Sequence, residues 1–181
     1  MERELVERAR RGDREAYEEL VRRRIDSMVR TARAILGHDA DAQDAVQEAF
    51  VAAWRRLPGL RDPERFDAWL GRILLNACRM TLRRRRVIRE IRMVDAGDEQ
   101  AGPADDRSGR FEQATADADA FDRAFARLPI EERALLVLRH RDELPIAEIA
   151  ARLEIPAGTA KSRLFHARRA LERTLAREDR Q

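Results

Sequence analysis

The chain has 181 residues, of which 44% are hydrophobic and 39% charged, enough apolar content for the cores of one or two domains. Its single cysteine excludes an intramolecular disulfide, and its charged amino terminus and short apolar runs exclude a signal peptide and a membrane-spanning helix. The net charge is only +3, but acidic and basic residues are segregated along the chain. We therefore expect a cytoplasmic protein with no membrane insertion.

The first predicted helix runs from Arg14 to Leu36, with Asp13 as its amino-terminal cap and Gly37 as its stop. Apolar residues recur in it at the spacing of one helix face. The residues predicted to point inward are Ala16, Leu20, Ile25, Met28, Val29, Ala32 and Ile35. No convincing alternating strand pattern is present in the chain, and its composition favours helix nearly everywhere.

A second predicted helix, within residues 39–60, has an apolar face and a face that is acidic near its beginning. The apolar positions are Ala45, Val46, Ala49, Phe50, Ala53, Trp54 and Leu57, and the other face carries Asp41, Asp44, Gln47 and Glu48. Carboxylates suit the positive end of a helix dipole. We interpret this face as a protein-binding patch, and the alternative is a solvated helix start. A metal site that includes His38 and Asp39 is a further alternative, although the spacing matches no recognised metal motif.

A loop over Pro58–Pro63 precedes a third predicted helix, over residues 64–86. Its core positions are Phe66, Trp69, Leu70, Ile73, Leu74 and Ala77, together with either Cys78 or Met80. Between Arg79 and Arg92 the chain carries seven arginines and one acidic residue. Arginine at this density on one helix suits a polyanion.

Residues 95–120 change to small, polar and acidic types, with eight acidic residues and two arginines. This composition predicts a flexible acidic linker. Two more helices, over Phe121–Leu128 and Glu131–Arg141, are predicted on either side of Pro129. Their expected core consists of Phe121, Phe125, Leu128, Ala134, Leu135 and Leu138.

The stretch from Pro145 to Leu171 predicts a helix-turn-helix. Pro156 and Gly158 separate a short apolar-faced helix from a longer one whose inward stripe is Ala160, Leu164, Ala167 and Leu171. The outer face of the longer helix offers donors for phosphates and base edges: Lys161, Ser162, Arg163, Phe165, His166, Arg168 and Arg169. Thr159 lies near the helix start, where a phosphate could dock. The alternative is a pair of solvated surface helices.

Motifs that support catalysis are not evident in the sequence. It has no glycine-rich phosphate loop and no Ser, His and Asp set in an obvious catalytic context. We therefore expect no enzyme activity, no cofactor and no bound metal.

Several stretches together resemble the extracytoplasmic-function group of bacterial sigma factors. In chain order they are DAQDAVQEAFVAAW, FDAWLGRILLNACRMTLRRRR, the acidic linker, LPIEERALLVLRHRDELPIAEIA and PAGTAKSRLFHARRAL. The resemblance covers nearly the whole chain and implies an all-α fold of two small helical domains. A region 2-like domain would occupy residues 1–94, a flexible acidic linker residues 95–120, and a region 4-like helix-turn-helix domain residues 121–181.

The resemblance implies a subunit that joins core RNA polymerase, recognises a promoter and helps to open the duplex. By this resemblance, Asp44, Gln47 and Glu48 hold the polymerase clamp. Asn76 matches a family position that, with a loop resembling residues 59–65, captures an unstacked base of the minus-10 element. Arg65 and the arginines after Asn76, including Arg79 and Arg83, would hold the DNA strand.

In the second domain, the resemblance implies that the last helix reads the minus-35 element while the domain rests on the polymerase flap. Lys161, Ser162, Phe165 and His166 would contact bases, and Thr159, Arg163, Arg168 and Arg169 would serve phosphates. The linker is similar to the segment that in the family threads towards the active-site cleft. A cytoplasmic anti-sigma factor is a further expected partner.

The sequence departs from the family pattern at three positions, Glu154, Ala160 and His166. Glu154 stands in the turn where glycine is common, and a left-handed backbone there would be strained for glutamate. Three alternatives to a sigma factor remain: a stand-alone helix-turn-helix regulator, an anti-sigma or adaptor protein, and a metal-dependent enzyme that would use His38, Asp41, Asp44 and Glu48.

Overall fold

A computed structural model describes residues 2–95 and 116–178, and within these ranges every regular element is a helix or a helical turn. This confirms the all-α prediction. The helices are α1 (Glu2–Arg10), α2 (Arg14–Leu36), α3 (Asp39–Arg56), α4 (Phe66–Asp95), α5 (Ala116–Ala126), α6 (Ile130–Leu136), α7 (Ile146–Leu153) and α8 (Ala157–Glu178). Short 3₁₀ turns span Leu57–Gly59 and Pro63–Arg65, and one π-helical turn spans Val137–Arg141. In the described part of the chain, no helix combines the length and the apolar character needed to cross a bilayer.

Helix α2 begins and ends at the predicted residues. The Asp13 carboxylate accepts a hydrogen bond from the Ala16 amide at 3.0 Å. Gly37 adopts a left-handed backbone with φ 74°, and its amide donates to the Arg33 carbonyl at 2.8 Å. The predicted inward face is buried or half-buried except for Ile25, which is 40% exposed because it lies at the edge of the stripe.

Helices α1 to α4 pack into one bundle. Helix α1 had no predicted counterpart, yet its Val6 is fully buried. The Tyr17 hydroxyl of α2 donates to the Phe50 carbonyl of α3 at 2.6 Å, which fixes these two helices against each other. In α4 the buried thiol of Cys78 takes the core position that Met80 could have filled, while Met80 is exposed.

The second half contains α5 to α8. Helix α5 begins at Ala116, so residues 116–120 of the predicted linker are helical, and residues 96–115 lie outside the described residues. Phe121 was expected in the core, but it is 44% exposed and stacks on Phe125 with ring centroids 5.8 Å apart. The residue of this helix that is fully buried is instead Ala124.

The two halves are in direct contact. Arg133 is almost fully buried, and its Nη1 donates to the carbonyl of Ile35, near the end of α2, at 2.9 Å. Thr31 of α2 donates to the Asp142 carboxylate at 2.8 Å. Helix α4 meets α7 at Gly71, where an added Cβ would lie 2.9 Å from the Arg152 Cδ. Buried apolar side chains of both halves therefore join in one connected cluster.

Candidate nucleic-acid interface

The helix-turn-helix consists of α7 and α8. Ala150 is buried on α7, and the inward stripe of α8 is buried at Ala160, Leu164 and Ala167. The turn between the helices is left-handed at Glu154, with φ 54° and ψ 43°. This agrees with the expectation from the family, in which glycine is common at this position. Ala160, where the family has a larger aliphatic residue, is fully covered.

The outer face of α8 projects into solvent. Of the eight residues predicted to contact the minus-35 element, seven are exposed: Lys161, Ser162, Arg163, Phe165, His166, Arg168 and Arg169. Thr159 is half-buried. Phe165 is 59% exposed and meets the His166 ring edge-on, with centroids 5.7 Å apart. A solvent-exposed phenylalanine among cations is unusual for a purely solvated helix and suits contact with a thymine methyl group.

Arg168 is tied to the rest of the second half by one polar contact. Its Nε donates to the Nε2 of His140 at 3.1 Å, so that ring nitrogen must be unprotonated. Desolvation, followed by the positive charges of Arg168 and Arg139, lowers the pKa of His140 below its ordinary value of 6.5. The contact orients the guanidinium of Arg168 while leaving its residue exposed.

On α4, a polar stripe contains the residues predicted for the minus-10 element. Asn76 is exposed, and its Oδ1 accepts a hydrogen bond from Arg79 Nη1 at 2.7 Å. Arg83 follows one turn later and is also exposed. The opposite side of α4 is held in the core by Leu70, Ile73, Leu74 and Cys78. The stripe therefore has a rigid base that presents the amide and guanidinium groups outward.

Arg65 lies at the end of the loop before α4. Its side chain is 80% exposed and lies 3.5 Å from the Asp62 carboxylate, which also caps the local turn by accepting from the Glu64 amide. Asn76 is ten residues beyond the start of α4 at Phe66, about 15 Å along the helix axis. The loop and the stripe thus flank a surface long enough for several nucleotides rather than one compact pocket.

The predicted protein-binding patch is on α3, where Asp44, Gln47 and Glu48 are all exposed. They line a groove between α3 and α4 that also contains the half-exposed apolar side chains of Val51 and Ile88. The Glu48 carboxylate receives Arg84 Nη1 at 2.6 Å, and this hydrogen bond raises the pKa of Arg84. The groove combines acidic, amide and apolar groups with the guanidinium groups of Arg55, Arg84 and Arg85, and such a mixed surface suits a protein partner better than a small ligand.

The residues of the metal alternative are not arranged around a cation site. Asp41 pairs with Arg85, and Glu48 pairs with Arg84. Within residues 2–95 and 116–178, no group of three or more histidine, cysteine, aspartate or glutamate side chains is placed to hold a metal ion. Arginine guanidinium groups therefore take the carboxylates that such a site would need.

Two ion pairs join the halves, and each includes one residue that the sequence did not single out, Arg72 in one and Glu131 in the other. Arg72 of α4 pairs with Glu154 in the turn of the helix-turn-helix. Arg79 Nε lies 3.3 Å from Glu131 Oε1, at the start of α6. Arg72 precedes Asn76 by four residues, so helical spacing alone would have placed it on the same stripe.

Comparison with protein families identifies two regions of the chain that match family models. Residues 20–88 match the family model for sigma-70 region 2, and residues 118–171 match that for sigma-70, region 4. The first region contains the groove and the stripe of α4, and the second contains the helix-turn-helix. The two matched segments follow each other in the order that the sequence motifs indicated.

Known proteins are similar over nearly the full length. The chain is 37% identical over 164 residues to the ECF RNA polymerase sigma factor SigM of Mycobacterium tuberculosis, covering 91% of this chain and 79% of the relative. Its fold is similar to CnrH in complex with the cytosolic domain of CnrY, with a TM-score of 0.67, 28% identity and 97% of each chain covered. The sigma factor RpoE of Bartonella quintana, solved with the anti-sigma factor NepR, aligns with a TM-score of 0.64 at 22% identity, covering 88% of this chain and 96% of that one.

Proposed function

Because the chain belongs to the extracytoplasmic-function group of RNA polymerase sigma factors, we propose that its two halves divide promoter recognition and polymerase binding between them. Members of this group are transcription initiation factors that bind core polymerase, recognise minus-35 and minus-10 elements and promote melting. In this proposal residues 1–94 act at the minus-10 element, residues 121–181 act at the minus-35 element, and residues 95–120 connect them.

In the proposal, α8 enters the major groove of the minus-35 element. Lys161, Ser162, Phe165 and His166 contact base edges, because they are exposed on the face away from the buried stripe. Four further residues, Thr159, Arg163, Arg168 and Arg169, hold phosphates on either side. The π-helical turn that carries His140 supports this arrangement, since it orients Arg168.

At the minus-10 element, the stripe of α4 holds the melted strand. Asn76 offers an amide to the exposed edge of an extruded base, and such an edge is otherwise left without hydrogen bonds. Arg79 and Arg83 on the same stripe, together with Arg65 at the end of the preceding loop, neutralise the phosphates of the strand. Arg79 donates a hydrogen bond to Asn76, so the amide proposed to read the base and a guanidinium proposed to bind phosphate are already in contact.

The groove between α3 and α4 is the proposed site for the polymerase clamp, through Asp44, Gln47 and Glu48, and the second half is proposed to rest on the flap. A protein that works on core polymerase acts in the cytoplasm. An anti-sigma factor is a proposed partner too, since the similar RpoE was solved with the anti-sigma factor NepR.

The observation that supports this division most directly is the presence of two separate exposed basic faces, on α4 and α8, together with a groove between α3 and α4 that Asp44, Gln47 and Glu48 line. The test is affinity capture of bacterial core RNA polymerase by the purified chain, followed by run-off transcription from templates with randomised promoter elements. We expect stable capture and enrichment of a two-part promoter. DNA binding without polymerase capture would contradict the proposal and favour a stand-alone regulator.

A further inference from the structure

The polar stripe of α4 is longer than the sequence motifs indicated. Arg72, Asn76, Arg79 and Arg83 follow one another at steps of four, three and four residues, which places all of them on one face of the helix. Arg72 is one turn, about 6 Å, before Asn76. Its guanidinium is therefore as well placed as that of Arg79 to meet a strand that passes Asn76.

The two arginines on either side of Asn76 in this stripe form ion pairs with carboxylates of the second half. Arg72 pairs with Glu154, and Arg79 pairs with Glu131. The side chains of Arg72 and Arg79 keep exposed fractions of 32% and 36%, so the pairs lie at the rim of the contact between the halves and not in its core. Such rim pairs are weak enough for a competing anion to replace them.

The contact between the halves also fixes how near the two DNA-reading surfaces are to each other. Arg72 touches the turn that precedes α8, and Asn76 is only one helical turn from Arg72. Elements named minus-35 and minus-10 are roughly 25 base pairs apart, on the order of 85 Å along B-DNA. The closed chain therefore cannot engage both elements, and its halves must separate before it does.

From these observations we infer that Arg72 is a further DNA-binding residue of the stripe, and that in the closed chain Glu154 pairs with Arg72 and Glu131 with Arg79 in place of DNA phosphates. A carboxylate and a phosphate oxygen accept the same charge-assisted hydrogen bonds from a guanidinium. Binding of the strand and closure of the halves then compete for the same two arginines. The inference rests on the proposed role of α4 at the minus-10 element.

The test measures binding of a fluorescein-labelled 20-nucleotide single strand of mixed sequence to the full chain by fluorescence anisotropy, over a range of salt concentrations. The variant E131Q/E154Q frees both arginines. The matched control is E7Q/E19Q, which removes the same charge from half-buried carboxylates that pair with arginines of their own helices. Comparing the two variants separates release of the arginines from the general gain of positive charge.

We expect E131Q/E154Q to bind the strand more tightly than E7Q/E19Q, with a logarithmic salt slope steeper by about 1.4, the value for two additional phosphate contacts on a single strand. Adding R72Q/R79Q to E131Q/E154Q should abolish the difference in affinity and in slope. An E131Q/E154Q slope equal to that of the control, or a gain that persists without the two arginines, would overturn the inference.

The experiment contains no polymerase, so its result is independent of the capture assay that tests the proposed function. If the chain fails to capture polymerase but E131Q/E154Q shows the steeper slope, the arginines are masked sites for nucleic acid in a protein of another role. If polymerase is captured and the slopes are equal, the chain is a sigma factor whose stripe is not masked by Glu131 and Glu154.

Discussion

Glu154 adopts a left-handed backbone conformation in the turn of the helix-turn-helix, and its carboxylate pairs with Arg72 on α4 of the other half. A residue with a Cβ is strained there, whereas glycine is not. The strained residue is thus also the one that joins the turn of the helix-turn-helix to the helix proposed to bind the minus-10 strand. Glycine at this position would relax the turn and remove the connection.

Replacing Glu154 separates these two effects. E154G and E154Q both remove the carboxylate, but only E154G relieves the left-handed strain, so we expect E154G to be the more stable variant by about 1 kcal/mol. Urea unfolding followed by circular dichroism measures this difference. Equal stability of the two variants, or greater stability of E154Q, would show that the left-handed turn costs the glutamate nothing.

Much of the secondary structure could be predicted because it depends on local patterns. The cap at Asp13 and the stop at Gly37 are properties of a few neighbouring residues, and both were found where expected. The stripe of α8 is likewise read from helical spacing alone. These features depend on neighbouring residues and not on the tertiary contacts of the chain.

The features that escaped prediction depend on tertiary contacts. Phe121 was expected in the core because of its size, but packing of its helix placed Ala124 there instead. Arg133 looks like one more surface arginine in the sequence, and only the neighbouring Ile35 carbonyl explains its burial. The partners of Arg72 and Arg79 come from the opposite half, and no periodicity within one helix can indicate them.

Cys78 should make the stability of the chain depend on alkaline pH. Burial raises the pKa of its thiol from 9.0 to about 12. Above pH 9 the unfolded thiol therefore loses a proton that the folded thiol keeps, and the free energy of unfolding falls as pH rises, by up to about 1.4 kcal/mol per pH unit. Urea unfolding at pH 8, 9 and 10 measures this slope.

C78A is expected to remove the slope between pH 9 and 10. Y17F should retain most of it, because the Tyr17 hydroxyl, whose pKa burial raises from 10.0 to about 12, contributes mainly above pH 10. A slope unchanged in C78A would mean that another group is responsible.

The contact between His140 and Arg168 should be lost in acid. Since the pKa of folded His140 lies below 6.5, the unfolded chain binds more protons as the pH falls through that value. The stabilisation from neutral His140 is present above pH 6.5 and is lost as the pH falls towards the folded pKa. An NMR titration of the ring should give a pKa below 6.5, and R168Q should move it upward. The control R169Q removes a neighbouring charge that faces Glu172, and a shift of equal size in this control would contradict the assigned contact.

Gln47 provides a test of the groove between α3 and α4. Its amide is exposed and lines the groove, so Q47A should weaken binding to core polymerase by roughly 1 kcal/mol, about fivefold. Gln43 is an exposed amide on the same helix but does not line the groove, and Q43A is therefore the matched control. Competition binding with a labelled sigma factor gives both affinities. Equal losses in Q47A and Q43A would remove the groove from the polymerase contact.

Asn76 should show the opposite pattern to Gln47. Its exposed amide is proposed to read an extruded base, an interaction that forms only when the duplex opens. N76A should therefore reduce promoter opening by about tenfold, the loss of one or two hydrogen bonds to a base edge, while affinity for core polymerase stays unchanged. Permanganate reactivity of unpaired thymines measures opening, and the competition assay used for Gln47 measures core binding. Q47A and N76A both replace an exposed amide with alanine on adjacent helices. Loss of polymerase binding in Q47A alone and loss of promoter opening in N76A alone would assign α3 to the polymerase and α4 to the melted strand. Loss of core binding in N76A, or unchanged opening, would show that Asn76 does not serve the melted strand.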